Sequence, residues 1–160
     1  ISNRALNAGQ TLTVANVATD TDTPQQTFTF TLTQFPAGAL VNATNGLLTW
    51  RPAVAQAGTT NPFTVRVTDN GTPNLSATQS FTVIVNRLNR PRLAAPTLAN
   101  GQFRLLVTGD PGPDYSMQVS TNLADWLILF TTNSPALPFT WNDTYTADVE
   151  SKFYRVQLGP

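Results

Sequence analysis

The sequence predicts an all-β chain of two tandem β-sandwich domains, and three observations carry that prediction. Apolar and polar residues alternate with period two through several short segments, the pattern of half-buried strands. Turn-forming residues separate those segments at intervals of about 8–12 residues, the spacing of sandwiches. No capped stretch with helical spacing runs longer than a turn or two.

The elements follow in order. Thr11 to Val17 alternates, and Thr27-Phe28-Thr29-Phe30-Thr31-Leu32-Thr33 is the clearest case, with apolar side chains on one face and hydroxyls on the other. Phe63 to Thr68 and Phe81 to Val85 repeat the pattern. Further strands are predicted at Phe103 to Val107, Tyr115 to Val119, Trp126 to Phe130, Phe139 to Trp141 and Phe153 to Leu158. The breaks carry turn chemistry: Asn45-Gly46, Asn70-Gly71, Asn100-Gly101, Phe35-Pro36-Ala37-Gly38 and Asp110-Pro111-Gly112-Pro113. A boundary is expected where Arg87, Arg90, Pro91, Arg92 and Pro96 cluster among few β-branched residues. The expected division is a first domain over 1–90, a Pro/Arg linker over 91–99 and a small β-domain over 100–160. Prolines stiffen such a linker, and the boundary's three arginines, Arg87, Arg90 and Arg92, are expected to be solvated rather than a docking patch for an acidic surface. The second unit is small enough to lean on its neighbour.

Composition excludes whole classes of function. The 160 residues include nine cations and nine anions, no histidine and no cysteine. Zero net charge provides no basic field for nucleic acid or an anionic membrane. Without His or Cys there is no Ser-His-Asp triad, thiol nucleophile or ordinary zinc site. Charged residues make up only 11%, and polarity comes from Asn, Gln, Ser and 26 threonines. No apolar run is long enough to span a membrane. The chain opens at Ile1 without a leader, and a processed piece of a longer product is the expectation.

Two blocks of sequence carry resemblances. Gly9-Gln-Thr-Leu-Thr, Ala18-Thr-Asp20-Thr-Asp22, Phe35 to Leu40, Asn45-Gly-Leu-Leu-Thr-Trp50-Arg-Pro52, Val65 to Ser76 and Phe81 to Val85 occur in that order. This order resembles bacterial cadherin-like, immunoglobulin-like domains over roughly residues 1–90. The resemblance implies an Ig/cadherin-like Greek-key sandwich, used in tandem as an extracellular spacer or adhesion rod, with Trp50 in its core. Residues 101–160 carry Ser120-Thr-Asn122-Leu-Ala-Asp-Trp126, Pro138-Phe-Thr-Trp141-Asn-Asp143 and Phe153-Tyr-Arg155. These resemble the C-terminal β-domain that closes secreted proteins of Verrucomicrobia-like bacteria, a family that brings no chemistry with it.

The cadherin-like resemblance implies that Asp20, Asp22 and Asp69 gather at the N-terminal end of the first domain as part of a calcium site. Calcium takes six to eight oxygens, so three aspartates form only a portion. The family's glutamate is missing at Ala8, and Arg51 and Asn86 to Arg90 replace its acidic ligands toward the second unit. That junction is therefore expected to be calcium-free, while the N-terminal aspartates need oxygens from a neighbouring domain or subunit. The rival expectation is that these are solvated turn aspartates.

Other candidates are weaker. One glutamate, Glu150, and eight aspartates in turn contexts present no proton donor in an apolar pocket, so no enzyme activity is expected. Trp126, Trp141, Tyr115, Tyr145 and Tyr154 offer a sugar-stacking platform, against which Trp126 and Trp141 are expected to be buried. Lys152 is the only lysine, so an isopeptide staple would join it to an asparagine. Three functions remain in play: a non-catalytic extracellular structural or adhesion segment, a subunit of a filament built by strand addition, and a carbohydrate-binding accessory module. Partners are expected among neighbouring domains, identical subunits or cell-surface glycans and proteins, with a secreted or cell-surface location. In the filament reading, a detached Ile1–Ala8 segment is the inserted strand.

Overall fold

The computed structural model describes residues 1–21, 23–144 and 151–159. Its described residues are almost entirely strand and turn, arranged as two tandem sandwiches. In the first, β1 (Arg4–Leu6), β7 (Ser76–Val85), β6 (Thr60–Asp69) and β3 (Phe28–Gln34) form one sheet in that order. The facing sheet is β2 (Leu12–Ala15), β5 (Leu47–Trp50) and β4 (Leu40–Val41). Sequential strands thus cross between sheets, as in a Greek key.

The alternation in β3 works as expected from its sequence: Phe30 is buried while Thr29, Thr31 and Thr33 are exposed. The same logic buries Leu12 and Val14 on β2, Phe63 and Val65 on β6, and Phe81, Val83 and Val85 on β7. Trp50 closes the core at 1% exposure. Its ring meets Phe63 edge-on at 5.3 Å, and Phe63 stacks on Phe81 at 5.0 Å. Its indole N–H donates to the Ala37 carbonyl at 3.1 Å, so the one polar atom of a large buried ring is satisfied.

The second sandwich pairs β11 (Leu127–Thr132), β10 (Asp114–Ser120) and β13 (Phe153–Gly159) in one sheet. Its other sheet is β12 (Phe139–Thr144), β9 (Gln102–Thr108) and β8 (Arg92–Ala99). Its core is smaller, built on Leu105, Val107, Tyr115, Met117 and Trp141.

Two segments differ from the sequence expectation. Residues 91–99, expected as a linker, contain β8, an edge strand antiparallel to β9. Prolines argued for a connector, but the ladder slips between Ala94 and Thr97, with Ala95 at φ 47°. A bulge on an edge strand is where Pro96 costs no ladder hydrogen bond. The N-terminal segment is likewise not detached. β1 lies parallel to β7, with Arg4 opposite Val83 and Leu6 opposite Val85. The Thr82 N–H donates to the Asn3 side-chain carbonyl at 2.9 Å, extending that attachment by one step.

Candidate functional site

The densest set of specific contacts lies where the two sandwiches meet. Gly9 and Gly112 are both buried and have positive φ, 80° and 120°. A Cβ on Gly9 would overlap the Gly112 carbonyl, and one on Gly112 would fall against the Ala8 carbonyl. Backbone therefore touches backbone, and only glycine permits either conformation or approach. Ala8, where the cadherin-like resemblance implies a glutamate, is fully buried beside this contact.

Side chains strap the contact on both flanks. Arg51 donates through Nε to the Gly9 carbonyl at 2.7 Å and through Nη2 to Asp114 Oδ1 at 2.8 Å. The Ser134 backbone N–H donates to the same Asp114 oxygen at 3.0 Å, while the Ser134 hydroxyl donates to the Gly112 carbonyl. Asn7 Nδ2 reaches the Pro111 carbonyl at 2.9 Å. On the connector, the Asn89 backbone N–H donates to Asp110 Oδ2 at 2.6 Å, and its side-chain amide donates to both Asp110 oxygens at 3.2 Å. Asp110 also accepts, at its backbone carbonyl, a 2.8 Å bond from the buried Tyr115 hydroxyl. Burial, then the Asp110 charge, push that hydroxyl above its ordinary pKa. The Asp-Pro-Gly-Pro turn of the second sandwich is thus gripped from both sides by the first.

Two of the three predicted metal ligands lie along one groove of the first sandwich. Asp20 and Asp69 both line a groove of about 610 Å³ with Val17, Phe28, Phe30 and Val67. Asp22 lies outside the described residues. The Asp69 carboxylate accepts backbone N–H bonds from Gly71 and Leu75, each at 2.9 Å, which closes the loop between β6 and β7. Among the described residues, no three acidic side chains gather closely enough to hold a cation. Two carboxylates fall short of the six to eight oxygens calcium takes. The described side chains do not by themselves fit the ion.

The second sandwich assigns its sequence blocks to two clusters. Asp143 Oδ2 accepts from Lys152 Nζ at 3.0 Å and from the Tyr154 hydroxyl at 2.7 Å. Burial alone would push the Asp143 carboxyl up, but the hydrogen bonds from Tyr154 and Lys152 and the Lys152 charge outweigh it and hold the carboxyl below its ordinary value. Burial, then the bond and charge of Asp143, push the Tyr154 hydroxyl strongly up. Lys152, the candidate for a bond to asparagine, is thus in an ion pair with an aspartate. In the other cluster, Asn122 Oδ1 accepts the backbone N–H groups of Ala124 and Asp125, which folds a turn that presents Trp126. The Arg155 guanidinium lies 4.0 Å from the Trp126 ring centroid, and its Nε donates to Gln118 Oε1 at 2.7 Å.

The described aromatic side chains of the candidate platform lie in different settings. Tyr115 and Trp141 are core residues, and Tyr145 lies outside the described residues. Trp126, expected to be buried, is half-buried with Arg155 over its ring. The strand expected at Trp126 to Phe130 is present as β11, but sequence reasoning missed that its apolar side chains are exposed on both faces. Leu127, Ile128, Leu129 and Phe130 are 65%, 58%, 40% and 44% exposed, and the alternation expected of a strand is absent there. The signal was the unbroken apolar run itself, which a strand with one wet face does not need.

A family model described as a Putative Ig domain matches residues 1–86, just over half the chain. No curated protein matches. Similar solved structures include Sidekick-1 immunoglobulin domains 1–5, at 9% identity and TM-score 0.47, covering 100% of this chain and 35% of that one. Human CDH23 EC21-23 is 18% identical at TM-score 0.45, over 97% of this chain and 58% of that one. The protocadherin GammaB4 extracellular domain is 16% identical at TM-score 0.39, over 73% and 24%. The chain thus spans between 24% and 58% of the length of these structures. Among the described residues, no helix is long and apolar enough to cross a membrane.

Proposed function

The chain belongs to the Putative Ig domain family, and from that membership we propose that it is a non-catalytic, extracellular structural and adhesive segment whose two sandwiches are held as one stiff unit without calcium. The observation that carries this reading is the junction: a glycine-to-glycine backbone contact flanked by Arg51–Asp114 and Asn89–Asp110. An arginine that donates to both a carbonyl and a carboxylate fills the place where a cation-bridged joint needs acidic ligands. The division we propose runs through residues 86–91, between β7 and β8, with β8 belonging to the second unit. Asp20, Asp22 and Asp69 act as calcium ligands only where a neighbouring domain or identical subunit completes the shell. Solution X-ray scattering of the chain in EDTA and in millimolar calcium tests the joint. One unchanged scattering profile is expected, and a profile that tightens only with calcium would overturn the reading.

A second reading, self-assembly by strand addition, is favoured by one observation. β11 is a sheet edge with four consecutive exposed apolar side chains and no charge or proline between Leu127 and Thr132. Such an edge lacks the usual guards against pairing with another strand. Electron microscopy at rising protein concentration tests it: filaments of constant width that disappear in Ile128→Lys support assembly, and monodisperse particles at every concentration sink it.

A further inference from the structure

A separate cleft of about 520 Å³ opens where the connector runs between the sandwiches. Its walls come from the loop before β6, from the connector and from β13, including Ala57, Leu88 and Leu158, with Arg87 and Arg90 lining the same space. Neither arginine has an ion-pair partner among the described residues, whose two salt bridges are Arg51–Asp114 and Lys152–Asp143. Both oxygens of Asp110, the carboxylate bound to this connector, accept from Asn89 between the two arginines. The stem of Arg87 is also held: a Cβ on Gly58 would come 3.1 Å from its Cγ. A chain with zero net charge therefore places two guanidinium groups that make no direct ion pair in one cleft with apolar walls.

Clefts of about 300–1,000 Å³ at domain interfaces suit small-molecule-sized groups. Guanidinium groups select planar carboxylates, and aliphatic walls suit the C–H face of a sugar ring. We infer that this cleft binds the carboxylate-bearing units of an acidic polysaccharide, with Arg87 and Arg90 taking the carboxylates and Leu88 and Leu158 the ring face. A uronate polymer holds its carboxylates on rigid rings, so little conformational freedom is lost when two neighbouring cations take them. An acidic peptide presents its carboxylates on flexible stems and loses more entropy on binding. This inference deepens the adhesive reading and rests on it, while the scattering test above bears on the joint alone, so the two fail separately.

The test is titration calorimetry of the full chain with oligogalacturonate, with neutral galacto-oligosaccharide and polyglutamate as comparators. Oligogalacturonate is expected to bind, the neutral sugar not to bind, and polyglutamate to bind more weakly. The double variant Arg87→Ala/Arg90→Ala should weaken binding by about tenfold or more with an unchanged melting temperature. Arg155→Ala, which removes an exposed arginine outside the cleft, should leave binding unchanged. Three results would overturn the assignment: no heat with oligogalacturonate, equal affinity for polyglutamate, or equal losses in Arg155→Ala and the double variant.

Discussion

Arg51 and Asp114, 63 positions apart in sequence, meet at 2.8 Å across the boundary between the two sandwiches. Their side chains are 35% and 20% exposed, so water screens the pair and its direct contribution to stability is about 1 kcal/mol or less. Its effect on geometry is larger, because the same arginine also holds the Gly9 carbonyl. Arg51→Ala is expected to barely move the melting temperature while broadening the distance distribution from X-ray scattering. Faster proteolysis within residues 86–91 should accompany it.

The backbone contact beside that pair is less forgiving. Gly112→Ala places a methyl group against the Ala8 carbonyl at a φ of 120°, where side chains are strained. This substitution should unseat the junction more completely than Arg51→Ala. A thermal melt is expected to resolve into two transitions, the second sandwich unfolding first because its core is smaller. A single unchanged transition would mean that the contact relaxes without cost.

Stability should fall in acid through Asp143. Its carboxyl is held below the ordinary value in the folded chain, so the stabilisation is present above the unfolded pKa of 3.8 and is lost as pH falls through the depressed folded value. Tyr154 runs the other way: its raised hydroxyl stabilises the fold below the ordinary tyrosine value, and that contribution declines as pH rises beyond about 10. Melting curves of wild type and Asp143→Asn between pH 2 and 7, on the order of the range where aspartate titrates, check the acid limb. The variant should start lower and lose less.

Trp50→Ala should cost about 3–5 kcal/mol, the range for truncating a fully buried tryptophan. It removes the edge contact with Phe63 and leaves the Ala37 carbonyl without its indole donor. Chemical denaturation followed by circular dichroism checks the magnitude. A loss below about 1 kcal/mol would place Trp50 outside the core, since surface changes typically stay within about half that.

How legible these features were in the sequence depends on how local their causes are. Trp50 was readable as core because it ends an alternating strand, and Phe28 to Leu32 because period two is a local signal. β1 was not, since three residues have no period and their place is set by β7 almost 80 positions later. β8 was hidden by Pro96, whose tolerance depends on a bulge against β9. Asp20 and Asp69 stood out as types, but only folding shows the Asp69 carboxylate closing its own loop. The Arg51–Asp114 strap was invisible for the same reason, whereas Arg87 and Arg90 stood out as a cluster and only the apolar walls from Ala57 and Leu158 were hidden. Single charges far apart in sequence give no pattern until the sheets set their distance.

The parallel pairing of β1 with β7 has a mechanical consequence. Tension along the chain pulls β1 toward its N-terminal end and β7 toward the connector, in opposite directions along the same ladder. Every hydrogen bond of that short ladder is then loaded together in shear, where an antiparallel hairpin pulled from its open end would unzip one bond at a time. A brief three-residue strand therefore acts as a shear clamp on the first sandwich under such a load, and it closes simply by folding.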